Sequence, residues 1–279
     1  MAALIIPWIA ITAGWRWSFV ASGTLGFVWL SVWLIVYHPL DHHPRVTLEE
    51  VELIRAGQDV PVESASHGSE KWLLLAKNRN VWAIVLGRSL TYPIWWFYVF
   101  WLPQYLSGAR GFSLARIAIF AWIPFVAADL GNFTGGWISG YCIRRGVSVI
   151  RARTWVCAIS CLPILAGIPA AHVHNVYWAL VLICVALWGY ASWATMGLTL
   201  PSDLFPHDVV ATVTGLSGFT ASFAGAGFTF MVGILVDRFS YEPAFLAPGL
   251  LPLFATASLF LLIRPVTEPK LSTSLIGHN

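Results

Sequence analysis

Residues 176–201 read VYWALVLICVALWGYASWATMGLTLP, a run of 26 residues without a charged side chain. A helix needs about 20 predominantly apolar residues to cross the hydrocarbon core of a bilayer, which is roughly 30 Å thick. The run also lacks the alternation of polar and apolar residues that is typical of strands in membrane β-barrels. It therefore predicts a membrane-spanning helix, which satisfies every backbone polar group within its own segment.

Six further runs of similar length are also poor in charged residues. They lie on both sides of the first run. The seven runs are Trp17–Tyr37, Val81–Leu106, Ile117–Ile143, Thr154–Ala171, Val176–Pro201, Val209–Val236 and Pro243–Ile263. Together they predict an all-α polytopic membrane protein with about seven transmembrane helices.

The composition of the 279 residues supports this fold class. Hydrophobic residues make up 58% of the chain, charged residues make up 10%, and the mean hydropathy is +0.72, whereas soluble domains carry about 25% charged residues. The net charge is only +3 and the cations do not gather on one helix face, so nucleic-acid binding is not indicated. Cys157 and Cys161 lie one helical turn apart, which suits packing better than a disulfide bond or a zinc site.

The lysines and arginines predict how the chain is oriented, because cytoplasmic loops carry an excess of them. Eleven of the sixteen lie on the side that holds residues 38–80, the loop after the third run and the C-terminal tail. Four lie on the opposite side, and Arg88 lies within a span. We therefore expect the long loop and the C-terminus to be cytoplasmic.

The first residues, Met1–Ala13, are apolar but cover only about 20 Å as a helix. We expect them to be the second half of a further span whose beginning is missing, which would make the chain a fragment. A signal peptide is the alternative. It is disfavoured because no basic region precedes the apolar residues and Trp15-Arg16-Trp17 is a poor cleavage site.

Residues 38–80 form the longest polar segment. Thr47 and Glu50 have the spacing of a capping box, which predicts a short amphipathic helix at this point. Three histidines at the start of the segment raise the alternative of a metal site, and they are His38, His42 and His43. We expect a solvated loop instead, because no cysteine or carboxylate stands at a recurring ligand spacing.

Two ionisable side chains lie inside predicted spans, Arg88 and Asp129. A charge near the bilayer centre costs at least about 2.5–3.5 kcal/mol, so each requires an explanation. Their expected depths overlap, and one interpretation is a structural ion pair between them. The other is that Arg88 binds an anionic substrate and that Asp129 releases it or carries a proton. The structural role is favoured for Asp129, whereas both remain open for Arg88.

Aromatic residues are concentrated in the span that contains Arg88. Tyr92 and Trp96 stand four residues apart, so they share one helix face and could line a cavity. Aromatic faces and hydroxyl groups suit a sugar ring, and a guanidinium group binds a carboxylate through two parallel hydrogen bonds. The alternative is that these rings pack against lipid or form an interfacial belt.

Several short motifs resemble the C-terminal half of a major facilitator superfamily transporter. Residues 135–146, GGWISGYCIRRG, are similar to the cytoplasmic loop motif between spans eight and nine, with Gly136, Arg144 and Arg145 at motif positions. The family usually has Asp where this chain has Gly140, so the charge contact attributed to that carboxylate lacks its acid here.

Within this superfamily the chain resembles the anion:cation symporters, especially bacterial hexuronate and sugar-acid permeases. The matching segments are WLPQYL (101–106), IAIFAWIPF (117–125), AADLG (127–131), SDLF (202–205) and YEPAF (241–245). The resemblance implies cation-coupled uptake of an organic anion, such as a hexuronate, by alternating access between two six-helix bundles. The implied partners are the sugar acid, a proton or sodium ion, and the lipid bilayer.

The resemblance also implies a layout and a site. Residues 1–37 would end the N-terminal bundle with part of span five and span six, and 38–80 would be the cytoplasmic linker. Residues 81–264 would form the C-terminal six-helix bundle (spans 7–12), and 265–279 a cytoplasmic tail at the inner membrane. One wall of the substrate cavity would be formed by Arg88, Tyr92, Trp96, Trp193 and Thr195. No enzymatic activity, cofactor or metal is implied, and transport would require the missing N-terminal bundle.

Two alternatives remain. The chain could be a truncated, non-transporting half of such a permease. It could also be an intramembrane serine protease, because Gly215-Leu216-Ser217-Gly218 has the shape of a nucleophile motif within a span. That chemistry needs a general base close to the hydroxyl group. The histidine that precedes the motif most closely is His207 in the preceding loop, and the histidine that follows it in sequence is His278 in the tail.

Overall fold

A computed structural model describes residues 2–38, 46–56, 75–239 and 241–264. These residues form helices and connecting turns, with no β-strand among them. The chain divides into two compact units: Met1–Ala65 with Val99–Val126, and Ser66–Tyr98 with Ala127–Asn279. His42, His43, most of the predicted linker and the predicted tail lie outside the described residues.

Eleven α-helices follow one another in the described part of the chain. They are α1 (Ala2–Thr12), α2 (Trp15–Val36), α3 (Leu48–Ala56), α4 (Arg79–Gln104), α5 (Leu114–Phe120), α6 (Ile123–Arg144), α7 (Val149–Ile164), α8 (Gly167–Ala170), α9 (Val176–Leu204), α10 (His207–Arg238) and α11 (Glu242–Leu262). A π-helical turn, Tyr105–Ala109, directly follows α4.

The predicted all-α membrane fold is confirmed. Five helical segments of the described chain are long and apolar enough to cross a membrane, namely Trp15–Val36, Val149–Ala170, Val176–Leu204, Val209–Arg238 and Pro243–Leu262. The two other predicted runs are helical as well. They correspond to α4 with 26 residues and α6 with 22, which at 1.5 Å per residue are about 39 and 33 Å long.

Two predicted spans are interrupted by turns at prolines. The third, Ile117–Ile143, is divided because α5 ends at Phe120 and α6 begins at Ile123. Pro124 explains this break, since proline has no N–H to donate to the carbonyl of Phe120 and its ring crowds that carbonyl. The fourth, Thr154–Ala171, is divided in the same way into α7 and α8, with Pro169 in α8 unable to donate to Leu165.

In the first unit, α1 packs against α2 and α5. The hydroxyl of Ser18 donates to the carbonyl of Ile6 at 3.2 Å and so ties α2 to α1. The capping box predicted before α3 is confirmed: the Thr47 N–H donates to Glu50 Oε2 at 2.9 Å, and the Glu50 N–H donates to Thr47 Oγ1 at 3.3 Å. These two bonds satisfy backbone donors that the first helical turn leaves free.

In the second unit, α9 packs against α7, α8 and α10, and α11 packs against α7, α8 and α10. Small residues allow the backbones to approach closely. A Cβ added at Gly189 would lie 2.9 Å from the carbonyl oxygen of Ser160, and one at Gly135 would lie 2.9 Å from the Cα of Ser192. Gly135 therefore allows the close approach of α6 to α9.

Candidate functional site

Arg88 lies in the middle of α4 and is partly buried. Its Nη1 donates to Ser217 Oγ at 2.8 Å and to the carbonyl oxygen of Thr214 at 3.3 Å, both on α10. Ser217 is completely buried, and its hydroxyl donates to the same Thr214 carbonyl at 2.9 Å. The guanidinium group has five N–H donors. Because Nε and Nη2 form no hydrogen bond within the described residues, they remain available to a ligand.

A cavity of about 90 Å³ opens beside this guanidinium group. At about 30 Å³ per water molecule in the liquid, it has room for roughly three waters or a carboxylate group. Its walls come from α4 and α9: Arg88, Thr91, Tyr92, Tyr190, Trp193, Ala194 and Leu198. The cavity thus combines one cation, two phenol hydroxyls and apolar surface.

Aromatic pairs hold the cavity wall in place. The rings of Tyr92 and Trp96 meet edge to face with centroids 6.0 Å apart, and Trp95 stacks on Tyr190 at 6.2 Å. Trp96 lies against α10 at Gly225, where an added Cβ would come within 3.0 Å of the indole ring. Tyr92 therefore lines the cavity, whereas Trp96 supports Tyr92 from behind.

Trp193 reaches the cavity only with its ring. The side chain is 1% exposed, and its indole N–H donates to Thr256 Oγ1 on α11 at 2.8 Å. Gly87 and Gly197 lie against the same ring, so larger residues at either position would crowd it. The indole N–H thus bonds to α11, and Trp193 contributes only apolar surface to the cavity wall.

Thr195 points towards α6 and is not among the cavity-lining residues. Its hydroxyl lies 2.8 Å from Asn132 Oδ1 on α6 and 2.9 Å from the carbonyl oxygen of Ala191, and its single proton can be donated to either acceptor. The predicted wall of five side chains is therefore gathered only in part around Arg88.

The ion pair predicted between Arg88 and Asp129 is not formed. Arg88 turns towards the hydroxyl and carbonyl groups of α10, while Asp129 is exposed on α6 and contacts no cation in the described chain. Counting residues along the predicted spans places both side chains at a similar depth in the membrane. It does not determine which face of its helix each one occupies. That orientation explains the incorrect pairing.

The ion pair that the described residues do form is Arg153 with Asp203, at 3.1 Å between Nε and Oδ2. Arg153 Nη1 also donates to the fully buried hydroxyl of Ser139 at 3.1 Å. This cluster joins α7, α9 and α6. This ion pair is difficult to predict from sequence, because the two charges are 50 residues apart and each lies near the end of a different span.

The motif loop ends α6 in a left-handed turn. Gly146 has φ of 89°, and the Val147 N–H donates to the carbonyl of Cys142 at 3.1 Å. This is the region in which glycine ends helices at little cost. Arg145 lies over the ring of Tyr141 at 5.1 Å, and a Cβ added at Gly140 would lie 3.6 Å from Arg144 Nη1. A Cβ at Gly136 would meet no atom within 4 Å.

Ser217 is not arranged as a nucleophile. Its hydroxyl contacts Arg88, and a guanidinium group cannot accept the proton that nucleophilic attack would release. The proposed protease motif is thus explained by the packing of α4 against α10.

Comparison with known proteins gives the family. A model described as Major Facilitator Superfamily matches residues 1–229. The chain is 31% identical over 283 residues to the hexuronate transporter of Escherichia coli (strain K12), covering 100% of this chain and 64% of the relative. It is 25% identical over 272 residues to the D-galactonate transporter of Escherichia coli O6:H1, covering 94% and 62%.

A third relative is the probable galactarate/D-glucarate transporter of Escherichia coli (strain K12), which is 25% identical over 277 residues and covered to 62%. The chain thus spans less than two thirds of the length of these relatives. The matches confirm the predicted resemblance to sugar-acid permeases, a group of transporters and not of enzymes. This multi-pass membrane protein belongs to the Major Facilitator Superfamily.

Proposed function

We propose that this chain carries the anion-binding wall of a sugar-acid transporter and that Arg88 binds the carboxylate of the substrate. The observation that supports the proposal is how few of the guanidinium N–H groups of Arg88 form hydrogen bonds within the described residues. Its Nη1 donates to α10, whereas Nε and Nη2 form no hydrogen bond with the residues that the structure describes and lie beside a cavity of carboxylate size. The substrate class comes from the relatives, which are named for hexuronate, D-galactonate and galactarate/D-glucarate.

The contacts of Arg88 favour binding over a purely structural role. A cation inside a membrane span is normally paired with an acid or a set of carbonyl groups. Among the described residues, Arg88 meets one hydroxyl and one carbonyl and no carboxylate. A substrate carboxylate would supply the missing charge through two parallel hydrogen bonds.

Two tyrosines beside Arg88 can provide further hydrogen bonds to an anion in the cavity. Tyr92 and Tyr190 line the same cavity, and neither hydroxyl has a hydrogen-bond partner in the described part of the chain. Each can donate to a carboxylate oxygen or to a sugar hydroxyl. Their rings offer the apolar faces on which a sugar ring can stack.

The larger arrangement is part of the same proposal and is supported by membership of the Major Facilitator Superfamily. Residues 1–37 would end an N-terminal bundle, 81–264 would form the C-terminal bundle, and the linker and tail would face the cytoplasm at the inner membrane. The two bundles would rock about the substrate, driven by a proton or sodium ion. The alternative is that the chain binds the sugar acid without transporting it, which uptake by cells that express the chain would distinguish from transport.

The test is binding of radiolabelled D-glucuronate to the full chain in lipid nanodiscs. Arg88→Ala should weaken binding by about 100-fold, because charge and hydrogen bonds are both lost. Arg88→Lys should weaken it by about tenfold, since lysine keeps the charge but loses the planar fork. Arg151→Ala removes an exposed arginine at the start of α7 and serves as the control. Unchanged affinity in both Arg88 variants would contradict the proposal.

A further inference from the structure

A second group of polar side chains lies on α6 and α9, outside the cavity of Arg88. Asp129 and Asn132 are three residues apart on α6, so they share one face of that helix, and both are exposed. Thr195 on α9 donates to Asn132 Oδ1 at 2.8 Å. Asp129 thus lies on the same helix face as the hydrogen-bonded pair of Asn132 and Thr195, and the three side chains form one polar patch within two predicted spans.

The hydrogen bond from Thr195 determines what this patch can offer. The carbonyl oxygen of Asn132 is the acceptor in this bond, and its amide NH₂ keeps two free donors because it forms no hydrogen bond within the described residues. The carboxylate of Asp129 accepts no hydrogen bond from any residue that the structure describes. A donor and an acceptor therefore stand side by side. A hydroxyl group both accepts and donates, so it can bind to both at once.

The location of the patch requires an explanation, because an ionisable residue near the centre of a span costs at least about 2.5–3.5 kcal/mol. Asp129 has no cation to offset this cost in the described residues. Intramembrane groups of this kind usually face a water-filled path or a substrate. The bond from Thr195 to Asn132 joins α9 to α6, but Asp129 forms no hydrogen bond with any residue that the structure describes, so a purely structural role does not account for its charge.

The patch lies at the same depth as the cavity of Arg88. Ala194 lines that cavity, and Thr195 is the next residue on α9. Adjacent residues of a helix differ by about 1.5 Å in height and by about 100° around its axis. With a helix diameter of about 10 Å, the two sites are separated by roughly 8 Å, which is comparable with the length of an extended six-carbon acid.

We propose that Asp129, Asn132 and Thr195 form a second subsite, which binds the hydroxyl groups at the end of the substrate opposite its carboxylate. The carboxylate of Asp129 makes this subsite select for a neutral polyol end. A substrate with a second carboxylate there would meet like charge, which disfavours binding. The inference rests on the proposed function, because Arg88 must first hold the other end of the molecule.

Two ligands differ only at the end in question. D-Galactonate and galactarate are open-chain acids of the same configuration, and the sixth carbon is a hydroxymethyl group in the first and a carboxylate in the second. The full chain in nanodiscs should bind D-galactonate at least about tenfold more tightly than galactarate. Asp129→Asn should abolish most of this preference, mainly by strengthening the binding of galactarate.

The controls separate this effect from a general loss of charge or structure. Asp237→Asn neutralises an exposed carboxylate near the end of α10 and should leave the preference unchanged. Asn132→Ala removes the two amide donors. It should weaken the binding of D-galactonate several-fold, while galactarate still binds less tightly than D-galactonate. Thr195→Val frees the amide of Asn132 and should have a smaller effect in the same direction.

The possible outcomes are distinct. If the unaltered chain binds both acids and Asp129→Asn leaves their ratio unchanged, the second subsite is wrong and the role of Arg88 stands. If the unaltered chain prefers galactarate, the selectivity assigned to Asp129 is wrong. If neither acid binds, the proposed function and the inference are both overturned.

Discussion

Two arginines in the second unit lie in contrasting surroundings. Arg153 has its acid within the protein: it bonds to Asp203 and to the buried hydroxyl of Ser139, and its side chain is 19% exposed. Arg88 meets a serine and a backbone carbonyl, and a cavity lies beside it. The difference indicates two functions for the same side chain. The first arginine joins helices, and the second has donors that the proposed function assigns to a substrate anion.

The largest expected effect distinguishes these functions directly. Arg88→Ala should weaken sugar-acid binding by about 100-fold and change thermal stability little, because Arg88 satisfies no buried acid. Arg153→Ala should leave the binding affinity within about twofold. Both variants are measured by radioligand binding and by thermal unfolding in the same detergent. Equal loss of affinity in both would remove the distinction.

The second effect concerns stability. Arg153→Ala leaves the carboxylate of Asp203 and the hydroxyl of Ser139 without their partner, and it should destabilise the bundle by about 2 kcal/mol. The additional change Asp203→Ala should restore part of that loss, because the unpaired charge is then absent. Thermal unfolding of the single and double variants checks this. A double variant less stable than Arg153→Ala would contradict the role assigned to the pair.

The third effect tests how the helices bring Ser139 to Arg153. Gly135→Ala places a methyl group 2.9 Å from the Cα of Ser192, so α6 must shift away from α9. Overpacking of this kind costs about 1–3 kcal/mol. Gly136→Ala adds the same methyl group where no atom lies within 4 Å and should leave stability unchanged. A similar melting temperature for both variants would contradict the close packing described here.

The smallest effect concerns how Arg88 is held. Ser217→Ala removes the hydroxyl that accepts from Nη1, and one hydrogen bond contributes about 1 kcal/mol. The affinity for the sugar acid should fall by about fivefold, since the guanidinium group is less well oriented. Thr220→Ala, one turn away, removes a hydroxyl that bonds only within its own helix and is the matched control.

Much of the fold could be predicted from the sequence. Exposing backbone polar groups to lipid is costly, and a long apolar run avoids this cost by forming a helix. Arg88 could be identified because a charge within a span is costly, and Tyr92 because it lies on an aromatic helix face of the same span. Tyr190 could not be identified as part of the cavity in this way, because one tyrosine among the many aromatic residues of this chain has no distinguishing pattern.

The pairing of charges was not predictable in the same way. Depth along a span can be counted from the sequence, but the direction of a side chain around its helix depends on how the helices pack. Arg88 was therefore matched to Asp129, and the true pair of Arg153 and Asp203 was overlooked. The helix interruptions beside Pro124 and Pro169 were missed for a different reason. Hydropathy measures how apolar a segment is, and it does not reflect the missing backbone N–H of proline.

The central claim is that Arg88 recognises the carboxylate of a sugar acid. The most direct test compares D-glucuronate with its neutral methyl ester, on the unaltered chain and on Arg88→Ala, as a double-mutant cycle. The account predicts that the unaltered chain binds the acid far more tightly than the ester and that Arg88→Ala binds the two equally. An undiminished preference for the acid in Arg88→Ala would contradict it, because the carboxylate would then be bound elsewhere.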